Sequence, residues 1–297
     1  MKCSYIMKTG RVSYTAQAAA AIRAYDNLTN QRPIFHDAYA INMTSPVWRF
    51  ILSNKLIMQV LKTQPVKHAW DLLVTQVALR SAYNEDWLCE ALDRGVKQYV
   101  MIGAGLDSFA LRDAAYYPDV KIYELDHPDT QALKIKALSK LGEIPANVEF
   151  VPINFEQEKI SETLEKSSYD ANQIAHFSWL GTTHYLKPET TLSTLKDLAS
   201  YAAIDSELVF DYSVPYQKLQ GIERLGTMLL SQVTHLLNEP IIGFFNTQEL
   251  HDLMWDLRYL VVEDLSGKDI TERYLMSDSK KGMQHTDAAH LIRLQFI

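Results

Sequence analysis

The apolar positions of this chain change their period once, near Gly95. Before that point they recur every three or four residues, as one face of a helix does. SYTAQAAAAIRAY (13–25) keeps that repeat, with Ser13 or Thr15 able to cap its first turn. After Pro46, residues Val47, Phe50, Ile51, Leu56, Val60 and Leu61 follow a period close to 3.6 within VWRFILSNKLIMQVLKT (47–63), which predicts a single helix. AWDLLVTQVALRSAY (69–83) and EDWLCEALDRG (85–95) predict two more, the last stopping on Gly95.

Beyond Gly95 the pattern turns to short β-type runs: QYVMIG (98–103), KIYELD (121–126), VEFVPIN (148–154), IAHFSWLG (174–181) and ELVFDYS (207–213). Helical segments alternate with them, at 106–117, 127–142, 158–167 and 187–202. That alternation implies a parallel sheet covered by helices on both faces. KLQGIERLGTMLLSQVTHLL (218–237) and NTQELHDLMWDLRY (246–259) then read as helices. LVVEDLS (260–266) and HLIRLQFI (290–297) close the chain as a strand pair, a long hairpin that adds an antiparallel strand. The expected organisation is a helical cap over 1–95 on an α/β core over 96–297, with a helical lid inserted near 215–255, all one structural unit.

Composition narrows the functions. The 297 residues carry a net charge of −7, which disfavours nucleic acid as a main partner. No run approaches the ~18 apolar residues of a membrane span, and MKCSYIMKTG lacks the apolar core of a secretory signal, so neither a membrane partner nor export is expected. Cys3 and Cys89 make neither a disulfide framework nor a metal cluster, and the nine histidines are scattered. A cytoplasmic protein without a metal fits these facts. The oligomeric state is left open.

The chemistry gathers at VMIGAGLDSFALR (100–112), a strand that breaks at Gly103-Ala104-Gly105 and runs into a helix. Glycine allows a tight turn and close approach of backbone to a ligand, and the helix start leaves N–H groups free. The turn alone is equally a packing device. The next strand, however, ends in YELDHP, placing Glu124 and Asp126 21 and 23 residues beyond Gly103, where an acid can accept hydrogen bonds from both ribose hydroxyls. NAD and S-adenosylmethionine (SAM) share this arrangement. The missing third glycine, the helices ahead of the first strand and the closing strand pair favour SAM.

In these segments the chain resembles the leucine carboxyl methyltransferase family of class I SAM-dependent methyltransferases, and its bacterial branch associated with polyketide-type O-methylation. TAQAAAAIRA, FHDAYA, LRSAYNED, VMIGAGLDSFALR, YELDHP, VPINF, FSWLGTTHYLKPET and NEPIIGFFNTQEL stand in the family's order. The resemblance implies a Rossmann-like, seven-stranded, mostly parallel sheet with a terminal antiparallel strand. It also implies a SAM site built from separate segments. Arg80 would pair with the methionyl carboxylate, with Arg23 reaching it from the first helix. Gly103, Ala104 and Gly105 would face the methionyl part and ribose, and Asp126 would hold the ribose diol with Glu124 as runner-up. Asn154 and Phe155 stand where the family carries Asp-Leu beside the adenine. Leu180 stands where many members have Glu, which removes a carboxylate near the cofactor.

Methyl transfer needs no protein nucleophile, and an ionised carboxylate acceptor needs no general base. No catalytic base is named. His184 and Tyr212, at strand ends, are candidates for orienting the acceptor. The apolar residues Met228, Leu229, Leu230, Phe244 and Phe245 belong to the expected lid. The favoured function is SAM-dependent O-methylation of a small molecule, polyketide-like or another metabolite, with a carboxylate as the expected acceptor and S-adenosylhomocysteine (SAH) as the second product. An NAD-dependent oxidoreductase and a catalytically silent SAM-binding protein are the alternatives.

Overall fold

Seven strands form one sheet in the order β3-β2-β1-β4-β5-β7-β6. β1 (Gln98–Ile102), β2 (Lys121–Asp126), β3 (Val148–Pro152), β4 (Ala175–Trp179) and β5 (Glu207–Ser213) run parallel, and β7 (Ala289–Phe296) is antiparallel to both β5 and β6 (Tyr259–Leu265). The computed structural model describes residues 13–297 except 65, 156, 216–218, 220–223, 225–227, 229–230, 233, 237–238 and 281. Leu229, Leu230 and most of the expected helix over 218–237 therefore lie outside the described residues. Met228 is exposed, whereas Phe245 is buried against the sheet. The order reverses between β1 and β4, so the crevice at their carboxyl ends is where an open α/β sheet places its ligand.

Central strands buried on both faces explain the near-continuous apolar runs in the sequence: every residue of β1, β4 and β5 is buried. The hairpin expected at the end is present, but its connection carries a further helix, Gly267–Tyr274, closed by a capping box between Ser266 and Asp269. That Ser-x-x-Asp signal was in the sequence, hidden among polar residues.

The helical half adds a short helix, α2 (Ala40–Met43), and differs from its sequence reading in two further places. The helix expected over 47–63 is broken into α3 (Pro46–Ser53) and α4 (Lys55–Leu61), because the Asn54 side chain turns back to accept from the amides of Leu56 (3.0 Å) and Ile57 (3.2 Å). Conversely, the two helices expected over 69–95 are one 28-residue helix, α5 (Val66–Asp93). Asn84 does not interrupt it because its side chain is spent on tertiary bonds, to the Tyr99 hydroxyl (2.9 Å) and His176 Nε2 (3.1 Å). α5 buries Leu79 and Tyr83 against Val209 of β5 and Leu291 of β7, so the early helices share the core of the sheet.

α1 (Tyr14–Thr29) begins at Ser13, whose Oγ accepts from the Ala16 amide at 3.1 Å, which selects Ser13 over Thr15 as the cap. One buried knot fastens this helix to the glycine turn. Arg23 Nε pairs with Asp37 Oδ2 at 2.9 Å, Arg23 Nη2 donates to the Leu106 carbonyl at 2.9 Å, and Ser108 Oγ donates to Asp37 Oδ1 at 2.6 Å. Removing one partner of a buried pair strands the other charge. Asp37→Ala should therefore lower unfolding free energy by about 3–5 kcal/mol, whereas Arg23→Met with Asp37→Leu should recover most of the loss; urea denaturation of the three proteins checks this.

Candidate active site

A cavity of about 290 Å³ opens over the glycine turn. The carboxyl ends of β1 and β4, the first helix, the loop after β4 and Glu239, Pro240 and Ile242 line it. Arg23, Arg80, Gly103, Ala104, Gly105, Asp126, Asn154, Phe155 and Leu180 all line it. Residues spread from 23 to 180 in the sequence are thus brought to one surface.

The turn works through missing side chains. Gly103 has φ +68°, and a Cβ there would fall 2.6 Å from Thr182 Oγ1; Gly105 has φ +51°. Both conformations belong to the left-handed region that glycine alone enters without cost. Asp126 closes the turn from below: Oδ2 accepts from the Gly105 amide and Oδ1 from the His127 amide at 2.6 Å. Burial pushes its carboxyl up, and these backbone donors offset only part of that. His127, not Asp126, caps the helix α7 (Pro128–Leu138) through Nδ1.

Glu124 does not reach the cavity. Its side chain points to the same face as Asp126 but lies deeper, where it is buried against Lys134 Nζ at 2.5 Å under α7. Strand alternation fixed the direction, and the covering helix decided which acid stays at the rim.

Arg80 projects from α5 into the cavity wall, with Nη1 3.3 Å from Asp211 Oδ2. Gly181 makes room for it: φ is +66°, and a Cβ would fall 2.5 Å from Arg80 Nη2. Asp211 is buried and also accepts from the Gly181 amide (2.6 Å) and meets His184 Nε2 (2.9 Å). Burial alone would raise its carboxyl, but the facing His184 ring and Arg80 guanidinium outweigh burial and hold it well below the usual carboxylate range.

His184 and Tyr212, expected to orient the acceptor, are not among the residues that line this cavity. His184 is buried between Asp211 and Ser213 Oγ (2.7 Å), outside the cavity lining, where it supports Asp211. Tyr212 is fully buried on the other face of β5, and its hydroxyl donates to Asp264 at 2.6 Å. Arg23 lines the cavity, but its guanidinium is spent on Asp37 and Leu106.

Three contributors escaped the sequence reading. Tyr185 lines the cavity together with Thr15, and its phenol is pushed up to about 12 by burial. Glu239 clamps the start of α1, accepting from the amides of Tyr14 (2.9 Å) and Thr15 (2.8 Å). Glu85 and Arg112, both inside quoted motif segments, form an ion pair joining α5 to the short helix after the glycine turn. Only the last left a signal, as two opposite charges in two neighbouring motifs.

Residues 16–199 match the leucine carboxyl methyltransferase family. The chain belongs to that family. It is 29% identical over 312 residues to YktD of Bacillus subtilis, covering 96% of this chain and 98% of YktD, whose name describes it provisionally as an S-adenosyl-L-methionine-dependent methyltransferase. A protein of Mycobacterium avium with a similarly provisional name is 28% identical over 204 residues, 68% of this chain and 66% of that protein. Among solved structures, a methyltransferase so named, again provisionally, from Thermobifida fusca superposes with a TM-score of 0.61 at 14% identity, covering 97% of this chain and 96% of that one. Magnesium protoporphyrin IX methyltransferase from Synechocystis, solved with bound SAH, gives 0.50 at 13% identity, covering 94% and 99%. These two likenesses show the fold. As a member of the leucine carboxyl methyltransferase family the protein is a SAM-dependent methyltransferase, and the NAD-dependent alternative falls.

The lowered carboxyl of Asp211 has a pH signature. A group whose acidity rises on folding contributes its stability above its unfolded value, about 4, and loses it as pH falls below that. The difference in unfolding free energy between the native protein and Asp211→Asn should thus shrink steadily as pH falls below about 4. Denaturation curves across pH test it.

Proposed function

We propose that this leucine carboxyl methyltransferase family member transfers a methyl group from SAM to an oxygen of a small molecule, and that the acceptor oxygen belongs to a carboxylate. The observation carrying the cofactor half is the meeting, in one cavity, of a side-chain-free turn at 103–105, the Asp126 carboxylate and the Arg80 guanidinium. These chemistries match SAM part by part. A guanidinium fork suits the methionyl carboxylate, a rim carboxylate suits the ribose diol, and a bare backbone admits the body of the molecule. Phe155 offers an aromatic face, and Asn154 an amide, on the adenine side.

When bound, SAM supplies a methyl group made electrophilic by its sulfonium. The protein's part is to hold the acceptor oxygen in line and keep water out. The acceptor half of the reading rests on what the described wall lacks in free bases. Asp126 is engaged by two backbone amides, Glu239 by the start of α1, Asp107 by the Phe109 amide (2.8 Å) and Arg112 (3.8 Å), and the His127 ring accepts at Nδ1 from the Asp129 amide (3.3 Å). The Tyr185 phenol, raised to about 12, stays protonated at neutral pH and donates. Such a wall orients an oxygen that is already ionised, as a carboxylate is, and has little to offer an alcohol that must lose a proton. Tyr185 in this reading steers the acceptor carboxylate.

Two experiments test the proposal. Calorimetric titration with SAM should show an affinity about tenfold weaker or worse for Asp126→Ala and for Gly181→Ala. In the latter the new methyl group displaces Arg80 from Asp211 and strains a backbone at φ +66°, so its melting temperature should fall while its circular-dichroism spectrum stays native. Incubation with methyl-labelled SAM and a panel of carboxylic acids and phenols should give product whose label is released as methanol by mild alkali, the behaviour of an ester. Alkali-stable label would assign a hydroxyl acceptor, and no transfer to any compound or cell extract would favour the silent SAM-binding alternative.

A further inference from the structure

The helix pair α3–α4 carries a surface that the methyl-transfer reading leaves unused. Its inner side is ordinary core: Leu52 is buried, and Trp48, Met58 and Leu61 pack beside it on the cluster formed by α1 and α5. Its outer side is not ordinary. Val47, Phe50, Leu56 and Val60 each leave more than half of their surface in solvent, and no residue of α4 is buried. Single exposed apolar residues need no explanation, but four in fourteen positions, on two helices joined only by Asn54, do.

The charges on this stretch are one-sided. Between Asp37 and Asp71 the sequence has no acidic residue, and it carries Arg49, Lys55, Lys62 and Lys67 in a protein whose net charge is −7. Lys67 is paired with Asp71 and Arg49 donates to the carbonyls of Asn42 and Thr44, while Lys55 and Lys62 are exposed and have no ion-pair partner among the described residues. Exposed aliphatic and aromatic side chains interleaved with cations on short amphipathic helices are the pattern of segments that lie in a membrane interface.

We infer that the outer face of α3–α4 docks the protein on an anionic lipid surface, with Phe50 and Leu56 entering the headgroup boundary and Lys55 and Lys62 meeting the lipid phosphates. Charge decides against two other occupants. A symmetric pair of copies joined through this face would set Lys55 and Lys62 of one near those of the other, and like charges repel. The first twelve residues of the chain carry Lys2, Lys8 and Arg11 and no acid, so their charge does not complement the face either. The sequence reading expected no membrane partner because it weighed only spans. No described helix is long and apolar enough to cross a membrane, and docking on a surface requires none.

The test is cosedimentation of the full chain with mixed phosphatidylcholine–phosphatidylglycerol vesicles and with pure phosphatidylcholine vesicles, at low and high salt. The expected result is binding to the mixed vesicles only, weakened by salt. Phe50→Ser with Leu56→Ser, and separately Lys55→Glu with Lys62→Glu, should each reduce the partition coefficient about tenfold or more. Both double variants change exposed side chains remote from the SAM cavity, so their melting temperatures and SAM affinities should match the native protein. Absence of binding to mixed vesicles, or binding that neither variant weakens, overturns the inference. So does a concentration-dependent dimer abolished by Phe50→Ser with Leu56→Ser, which would give the face to a second copy. Binding that appears only after deletion of residues 1–12 would give it to that segment and overturn the inference too. None of these outcomes bears on the methyl-transfer assays.

Discussion

The buried pair between Arg23 and Asp37 is the constraint on which the rest of the cavity depends. A glycine turn at the end of β1 presents an open backbone to any solvent above it. It becomes one wall of the site because α1 is fixed over it, and the central fastening is electrostatic and specific: one guanidinium reaches both the Asp37 carboxylate and the Leu106 carbonyl of the turn itself. Ser108 completes the set from the first turn of the next helix. Cap and turn are thus positioned by the same four groups, and neither moves without the other.

A second layer of the same logic operates on the far wall. Gly181 and Asp211 leave one place for the Arg80 guanidinium, the glycine by what it lacks and the carboxylate by what it attracts. His184 then matters without touching a ligand, because it supplies a donor to Asp211 from the other side. Charged groups in this protein are rarely left to solvent near the cavity; each is assigned a partner, and the cavity inherits its shape from those pairings.

Periodicity made the sheet legible. Runs buried on both faces, such as Gln98–Ile102 and Ala175–Trp179, could be nothing but central strands once helices separated them, and the glycine turn with its downstream acid located the crevice. What period could not show was the use of polar side chains. Asn54 breaks a helix whose apolar spacing continues without interruption, while Asn84 passes through a longer one because Tyr99 and His176 occupy it. The two asparagines differ only in their tertiary partners. The choice between Glu124 and Asp126 has the same origin: Lys134 waits above one and not above the other. His184 and Tyr212 stood near the right strand ends, yet Asp211 and Ser213 of β5 had already claimed the first, and Asp264 of β6 and His290 of β7 the second.

The clamp between Glu239 and the first amides of α1 joins positions 225 and 224 residues apart. During synthesis α1 leaves the ribosome ahead of strands β1 to β5, and the carboxylate that holds its tip follows only after them. The early helices must therefore wait, unclamped, while those strands are made, and the roof over the glycine turn is completed only afterwards.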